Sequence, residues 1–131
     1  MMKKKVNDYI KYDKKGNAVF KIQVKDNKFI ATAGDDGRLL LTADLDDNGY
    51  ANGEEVEYTM GMISAKLHFK HGCLDGKQEM LTLDDSGDND RLAKAYYKDG
   101  VFVKGDYFFE YEMPVVKNMN IDELESIVRS M

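Results

Sequence analysis

The chain has 131 residues, a net charge of −5 and a single proline, with 43% hydrophobic and 33% charged residues. This composition is typical of one folded domain, predicted to span residues 1–131, and it excludes a disordered chain. No stretch approaches the roughly 20 apolar residues that a membrane-spanning helix needs, so we expect no membrane association. Cys73 is the only cysteine, which excludes an internal disulfide and favours a cytoplasmic location.

The charges are distributed unevenly along the sequence. Residues 1–15 hold six Lys and two Asp, whereas residues 44–57 hold six acidic residues and no basic residue. A net acidic chain without a stripe of Arg or Lys among aromatic residues is a poor nucleic-acid binder, so we expect no nucleic-acid partner. The acidic segment can instead attract a cationic ligand or a basic segment of a partner protein.

The segment 17–45 has the pattern of three antiparallel strands. Apolar and polar residues alternate over 18–24, 28–33 and 38–45. Short runs of Asp, Asn and Gly, which are the residues that tight turns prefer, separate these stretches. The pattern therefore predicts a three-stranded meander.

The segment 44–55, DLDDNGYANGEE, has the spacing of an EF-hand calcium loop. Alternate residues of such a loop supply oxygen ligands, and a Gly at the sixth position allows a sharp bend. A Glu at the twelfth position supplies both of its carboxylate oxygens. The predicted calcium ligands are Asp44, Asp46, Asn48, Tyr50 through its backbone carbonyl, Asn52 and Glu55.

The same segment is also typical of a solvated turn, because Asp, Asn and Gly are common in ordinary turns. An EF-hand loop follows a helix, whereas the preceding residues RLLLTADL (38–45) alternate like a strand. This departure argues against a paired EF-hand domain, although a single loop that follows a strand can still bind Ca²⁺. The sequence of this segment is compatible with both a calcium site and a plain turn.

The middle of the chain fits two different structures. Val56, Met60 and Ile63 have helical spacing, but residues 56–69 fit two alternating strands that bend at Gly61 equally well. A helix would lose about 1 kcal/mol for its internal Gly, whereas two strands would use that Gly in the bend. The sequence leaves both interpretations open.

The C-terminal part of the chain has a strand pattern and then a helical pattern. Residues 101–113 place apolar and aromatic side chains on one face, predicted to be core: Val101, Val103, Tyr107, Phe109, Tyr111 and Met113. After Pro114, Asn120 is a predicted N-cap with Glu123 as its capping-box partner, and apolar residues recur at helical spacing. We expect this amphipathic helix to cover the apolar face of the sheet; the alternative is that it binds in a groove of a partner.

Together these patterns predict an α+β fold. The expected structure is an antiparallel meander sheet of about six to eight strands with a C-terminal amphipathic helix, and a middle helix is one option. The alternative is an all-β meander or barrel with a terminal helix.

Two parts of the sequence resemble the YbjN-like proteins, which share the type III secretion chaperone fold. GNAVFKIQVKDNKFI (16–30) looks like their first hairpin, and RLAKAYYKDGVFVKGDYFFEYEMP (91–114) with NIDELESIVRSM (120–131) looks like their last strands and closing helix. The resemblance implies a small, cytoplasmic, often dimeric module that binds another polypeptide and is not an enzyme. It carries over no catalytic residues.

The sequence offers no combination of nucleophile, base and orienting acid, since its two His lie close together at His68 and His71. Acidic pairs are frequent, but which acids are buried decides whether such a pair is functional. We therefore expect a non-enzymatic, chaperone-like module that binds a protein partner, and a homodimer is one assembly that it can form. The alternative function is a calcium-binding or calcium-stabilised domain. The candidate contact residues are Val19, Phe102 and Phe108.

Overall fold

The computed structural model describes residues 9–82, 91–105 and 119–130. These residues form one antiparallel sheet of ten strands and one C-terminal helix. Neighbouring strands in the sequence are neighbours in the sheet, except that the short strand β7 pairs with β6 beside the main path. The elements are β1 Tyr9–Tyr12, β2 Ala18–Lys25, β3 Lys28–Ala33, β4 Leu39–Leu45, β5 Ala51–Thr59, β6 Met62–Lys70, β7 Cys73–Leu74, β8 Gly76–Thr82, β9 Arg91–Lys98, β10 Val101–Gly105 and α1 Ile121–Ser130.

Two-residue turns join several of these strands. Asp26 and Asn27 have φ angles of 53° and 59° between β2 and β3, which is the left-handed conformation that a tight hairpin turn requires. Met60 and Gly61, at 54° and 79°, join β5 to β6 in the same way. Direct pairing of β2 with β3 and of β3 with β4 confirms the predicted meander over 17–45.

The predicted α+β fold class is wrong, and the structure is nearer to all-β. Ten strands and one helix of ten residues make up the described chain, and the sheet is open instead of closing into a barrel. The middle segment forms strands β5 and β6, so the optional middle helix is absent from it. The left-handed turn at Met60 and Gly61 explains this outcome, because a helix cannot contain such residues without a break.

One face of the sheet carries the hydrophobic core, and helix α1 packs against it. Ile121, Leu124 and Val128 of the helix belong to the same buried cluster as the inward residues of the strands. Asn120 caps the helix, since its Oδ1 accepts a hydrogen bond from the backbone N–H of Glu123 (3.1 Å). No helix within the described ranges is long and apolar enough to cross a membrane.

Backbone hydrogen bonds fasten the start of helix α1 to two turns of the sheet. Ala51 N–H donates to the carbonyl of Met119 (2.7 Å), and Met119 N–H donates to the carbonyl of Gly72 (2.7 Å). Ile121 N–H donates to the carbonyl of Gly49 (3.1 Å). The turn of the 44–55 segment therefore lies beside the first residues of the helix.

A buried glutamine completes the pairing of strands β6 and β8. Their ladder includes only two residue pairs, and the side chain of Gln78 occupies the space beyond them. Its Oε1 accepts a hydrogen bond from His68 N–H (2.7 Å), while its Nε2 donates to the carbonyls of His68 (3.0 Å) and Gly76 (3.2 Å). The Gln78 amide thus replaces a backbone peptide group between the two strands.

Strand β10 differs from the predicted C-terminal strand. Val101 and Val103, which were expected in the core, are exposed, and a register shift separates Phe102 from Lys104. Phe102, expected to be a contact residue, faces the core and stacks edge-to-face on Tyr97 with ring centroids 5.6 Å apart. Residues 107–113 and Phe108 lie outside the described residues.

Candidate functional site

The segment 44–55 forms a β-hairpin between β4 and β5. Asp46 organises its turn, because its Oδ1 accepts hydrogen bonds from the backbone N–H groups of Asn48 (2.9 Å) and Tyr50 (3.0 Å). The other oxygen, Oδ2, lies 3.0 Å from Nδ1 of His71. These contacts are those of a side chain that stabilises a turn.

Other predicted calcium ligands already have partners in the hairpin. Asp44 Oδ1 forms an ion pair with Lys28 Nζ at 2.8 Å. The Tyr50 carbonyl accepts the N–H of Asp46 (2.8 Å), and Asn52 Oδ1 accepts the backbone N–H of His71 (3.0 Å). The named oxygens of Asp44, Asp46, Tyr50 and Asn52 are therefore directed to protein groups of the hairpin and its neighbours.

Glu55, the predicted bidentate ligand, lies in strand β5 and points to the core face. It can reach the turn at 46–50 only if β5 leaves its ladders with β4 and β6. In the described part of the chain, no three His, Cys, Asp or Glu side chains are grouped so that they could hold a metal ion. Calcium binding stays a prediction from sequence spacing.

Replacement of Asp46 by Ala is expected to destabilise the protein by about 1 kcal/mol, because two backbone N–H groups and His71 lose their acceptor. Asn48→Ala is the matched control, since the exposed Asn48 contributes only its backbone N–H to the turn. Chemical denaturation of both variants measures the difference. Equal destabilisation would contradict the turn-stabilising role, and loss of a calcium-induced stabilisation in both variants would support the calcium site instead.

The same turn carries a pH dependence of its own. Burial opposes ionisation of Asp46, but the hydrogen bonds from His71 and from the backbone of Tyr50 and Asn48 outweigh it and lower the pKa of Asp46. Since the folded-state pKa is lowered, the stabilisation is present above pH 3.8 and is lost as the pH falls through the lowered pKa.

Two glutamates of β5 point to the core face of the sheet. Glu55 is paired with Ala43 of β4 and Leu67 of β6, and Glu57 is two residues further along the same face. The side chain of Glu55 is 0% exposed, and neither of its carboxylate oxygens has a hydrogen-bond partner. A buried carboxyl group without a partner is rare and indicates a strongly perturbed proton affinity.

Burial raises the pKa of Glu55 well above its usual range, and the nearby charge of Glu57 raises it further. Burial also raises the pKa of Glu57, while its contact with Glu55 acts in the opposite direction. We therefore expect this pair to hold a proton at pH values where surface glutamates are ionised.

The surroundings of the glutamate pair are apolar. The residues directly opposite it are Leu41 and Ala43 on β4 and Ala65 and Leu67 on β6. None of these four side chains can act as a nucleophile, a base or a cationic partner. The residues directly opposite the pair therefore offer its carboxyl groups neither a proton acceptor nor a positive charge.

The order of apolar and polar residues along β5 did not indicate that Glu55 and Glu57 point to the core. Val56 lies on the opposite face from Glu55, between Thr42 and Lys66, and is itself buried, so both faces of β5 carry a buried side chain at this point. The informative signal lies outside β5, in the alternation of Ala65, Leu67 and Phe69 in the next strand. The pairing of β5 with β6 determines which side chains of β5 point to the core. This pairing cannot be recognised from the residues of β5 alone.

The outward face of the sheet is basic at its β8–β10 end. Residues directly opposite one another form one row of Lys66, Glu79 and Lys94, and a second row of Lys77, Tyr96 and Lys104. We call this surface the lysine face; its lysines are Lys66, Lys77, Lys94, Lys98 and Lys104.

Apolar side chains adjoin the lysine face on the hairpin of β9 and β10. Val101 is 60% exposed, Val103 is 58% exposed and Tyr96 is 38% exposed. Lys104 Nζ lies 5.1 Å from the centroid of the Tyr96 ring, which places a cation over this aromatic side chain. The combination of apolar and cationic side chains is suited to contact with another molecule.

The sequence matches no protein-family model, no curated protein and no solved structure. The resemblance to the YbjN-like proteins therefore stays a prediction.

Proposed function

We propose that this protein is a non-catalytic binding module that contacts another polypeptide through the outward surface of the β9–β10 hairpin. The observation that carries the proposal is the exposure of Val101 and Val103 beside Tyr96 on one hairpin. Exposed apolar groups that lie together favour a contact that removes them from water, at about 25 cal/mol per Å² of buried apolar surface.

The lack of chemistry around the buried acids supports binding over catalysis. Glu55 and Glu57 lie among Leu and Ala residues of the adjacent strands, with no His, Lys, Ser or Cys directly opposite them. A binding surface, by contrast, needs only exposed complementary groups, and the β9–β10 hairpin provides them. A chaperone-like role, a homodimer and a cytoplasmic location fit this proposal.

Site-specific photo-cross-linking in the native host tests the proposal. A photoreactive amino acid at Val101 is expected to capture a discrete polypeptide, because this side chain is the most exposed of the hairpin valines. The matched control carries the same amino acid at Met60, an 83% exposed apolar residue in the β5–β6 turn.

Capture from position 101 but not from position 60 would support the proposed surface. Replacement of Val101 and Val103 by Ser should then reduce the yield of the same product, since it removes the apolar groups without a change in charge. Equal capture from both positions, or none from position 101, would contradict the proposal.

A further inference from the structure

We infer that the polypeptide bound by this hairpin is an acidic segment, held by the lysine face. This inference rests on the proposed function and adds the chemistry of the partner. It depends on the positions of the five lysines, on their neighbours and on the location of the acidic residues elsewhere in the fold.

Strand pairing brings together lysines that are far apart in the sequence. Lys66 lies on β6, Lys77 on β8, Lys94 and Lys98 on β9, and Lys104 on β10. Lys66, Lys77, Lys94 and Lys98 are each next to a residue that is buried or faces the core, so alternation directs them outward. Lys104 lies outward because it is opposite Tyr96, with its Nζ over the Tyr96 ring. Lys77 and Lys104 both lie opposite Tyr96, so Lys94 and Lys98 are their diagonal neighbours on β9. Diagonal neighbours on adjacent strands are about 7 to 8 Å apart, which places these four lysines on one patch.

The acidic residues in the described part of the chain lie mostly outside the lysine face. Among outward positions of the lysine face in the described strands, Glu79 is the one acid, and it lies 3.6 Å from Lys77. Acidic residues occupy turns, strands β4 and β5, and helix α1, where Asp122 and Glu123 lie in the first turn. Because charges are screened over about 8 Å at physiological ionic strength, a docked segment responds to the lysines near it.

An acidic polypeptide fits this surface better than a nucleic acid does. The net charge of −5 opposes the approach of a long polyanion, and the cationic residues that define the lysine face are all Lys, which does not bind phosphate in the bidentate manner of Arg. The exposed Val101 and Val103 favour apolar side chains, which a peptide has and a phosphate backbone lacks. A segment with both acidic and apolar residues matches both parts of the surface.

Fluorescence anisotropy with a labelled synthetic peptide tests the inference on the full chain. The peptide alternates Glu with Val and Ser over about eight residues, which extend to about 26 Å. The test variant combines Lys77→Glu with Lys104→Glu. The control combines Lys21→Glu with Lys25→Glu, which makes the same charge change at exposed positions of β2 outside the lysine face.

We expect the Kd of the acidic peptide to rise about tenfold or more in the Lys77/Lys104 variant and to change less than about twofold in the control. A peptide with Lys in place of Glu should bind more weakly than the acidic peptide, and added salt should weaken acidic-peptide binding. Circular dichroism confirms that both variants remain folded.

Three results would overturn the inference. These are no binding of the acidic peptide, an unchanged Kd in the Lys77/Lys104 variant, and tighter binding of an oligothymidine of similar length. The cross-linking experiment at Val101 tests the proposed binding role independently of the peptide-binding experiment. Capture of a partner there, together with an unchanged Kd in the charge-reversed variant, would overturn the acidic partner and leave the binding role intact.

Discussion

Replacement of Glu55 by Gln is expected to stabilise the protein, and the increase in stability should grow with pH. The Glu55 carboxyl is fully buried, has no hydrogen-bond partner and lies near Glu57. Gln has almost the same shape as the protonated carboxyl but cannot ionise. The substitution therefore removes the cost of a buried acid that is either held protonated or ionised without a partner.

The sign of the pH dependence follows from the raised pKa of Glu55. In the unfolded chain this carboxyl loses its proton near its ordinary value of 4.5, whereas the folded protein keeps it to higher pH. Between the two values the folded state binds more protons, so its stabilisation is present below pH 4.5 and is lost as the pH rises through the raised pKa. The loss amounts to about 1.4 kcal/mol per pH unit in that window.

Denaturation curves of the parent protein and the variant between pH 4 and pH 8 measure this difference. We expect the two stabilities to be close at about pH 4.5 and to separate as the pH rises. Glu57 should leave a smaller dependence in the variant, since burial raises its pKa too. Glu54→Gln is the matched control, because Glu54 is exposed on the opposite face of β5, and its effect should stay within about 0.5 kcal/mol.

A loss of stability in Glu55→Gln at neutral pH would contradict this expectation. Such a result would mean that the Glu55 carboxyl makes a favourable contact that Gln does not reproduce, either with Glu57 or with a bound cation. The same experiment with and without added Ca²⁺ therefore also tests the calcium prediction at its decisive residue.

Local patterns were sufficient to predict the elements that depend on local chemistry. The meander over 17–45 follows from two-residue alternation and from turn residues such as Asn27 that accept a positive φ. Helix α1 follows from its apolar spacing and its Asn120 cap. Both the meander and the helix depend on residues that are close in the sequence, so the sequence alone is sufficient to predict them.

The faces of strand β5 depend on pairing that the sequence does not reveal. Ala43 pairs with Glu55, but Leu45 pairs with Ala51, so β5 contains two more residues than β4 over this stretch. A shift of two residues does not change the faces of a strand, so Glu55 points inward with or without it, and the irregularity only places Glu55 opposite Ala43. A local pattern cannot show which face Glu55 occupies, because it does not include the neighbouring strands.

The lysine face has the same non-local origin. No stretch of the sequence shows a stripe of basic residues, and the expectation of no nucleic-acid partner began from that observation. Pairing of β6, β8, β9 and β10 assembles the stripe from residues between Lys66 and Lys104. Composition correctly describes the net charge but does not reveal how the charges are distributed over the folded surface.

Replacement of Gln78 by Leu is expected to destabilise the protein by about 2 to 3 kcal/mol. Gln78 is fully buried, and its amide makes three hydrogen bonds with the backbone of His68 and Gly76. Leu has a similar volume but leaves the His68 N–H without an acceptor and removes a donor from two carbonyls. The expected loss therefore comes from unpaired backbone groups, with little contribution from packing.

Gln23→Leu makes the identical substitution at an exposed position of β2 and should change the free energy of unfolding by less than about 0.5 kcal/mol. Urea denaturation compares the two variants, and amide hydrogen exchange at His68 separates the possible causes. Faster exchange confined to β6 and β8 would show that the Gln78 side chain joins these strands, because only their pairing depends on it. A Gln78→Leu variant as stable as the Gln23→Leu variant would mean that the sheet closes this gap by moving its own backbone groups together.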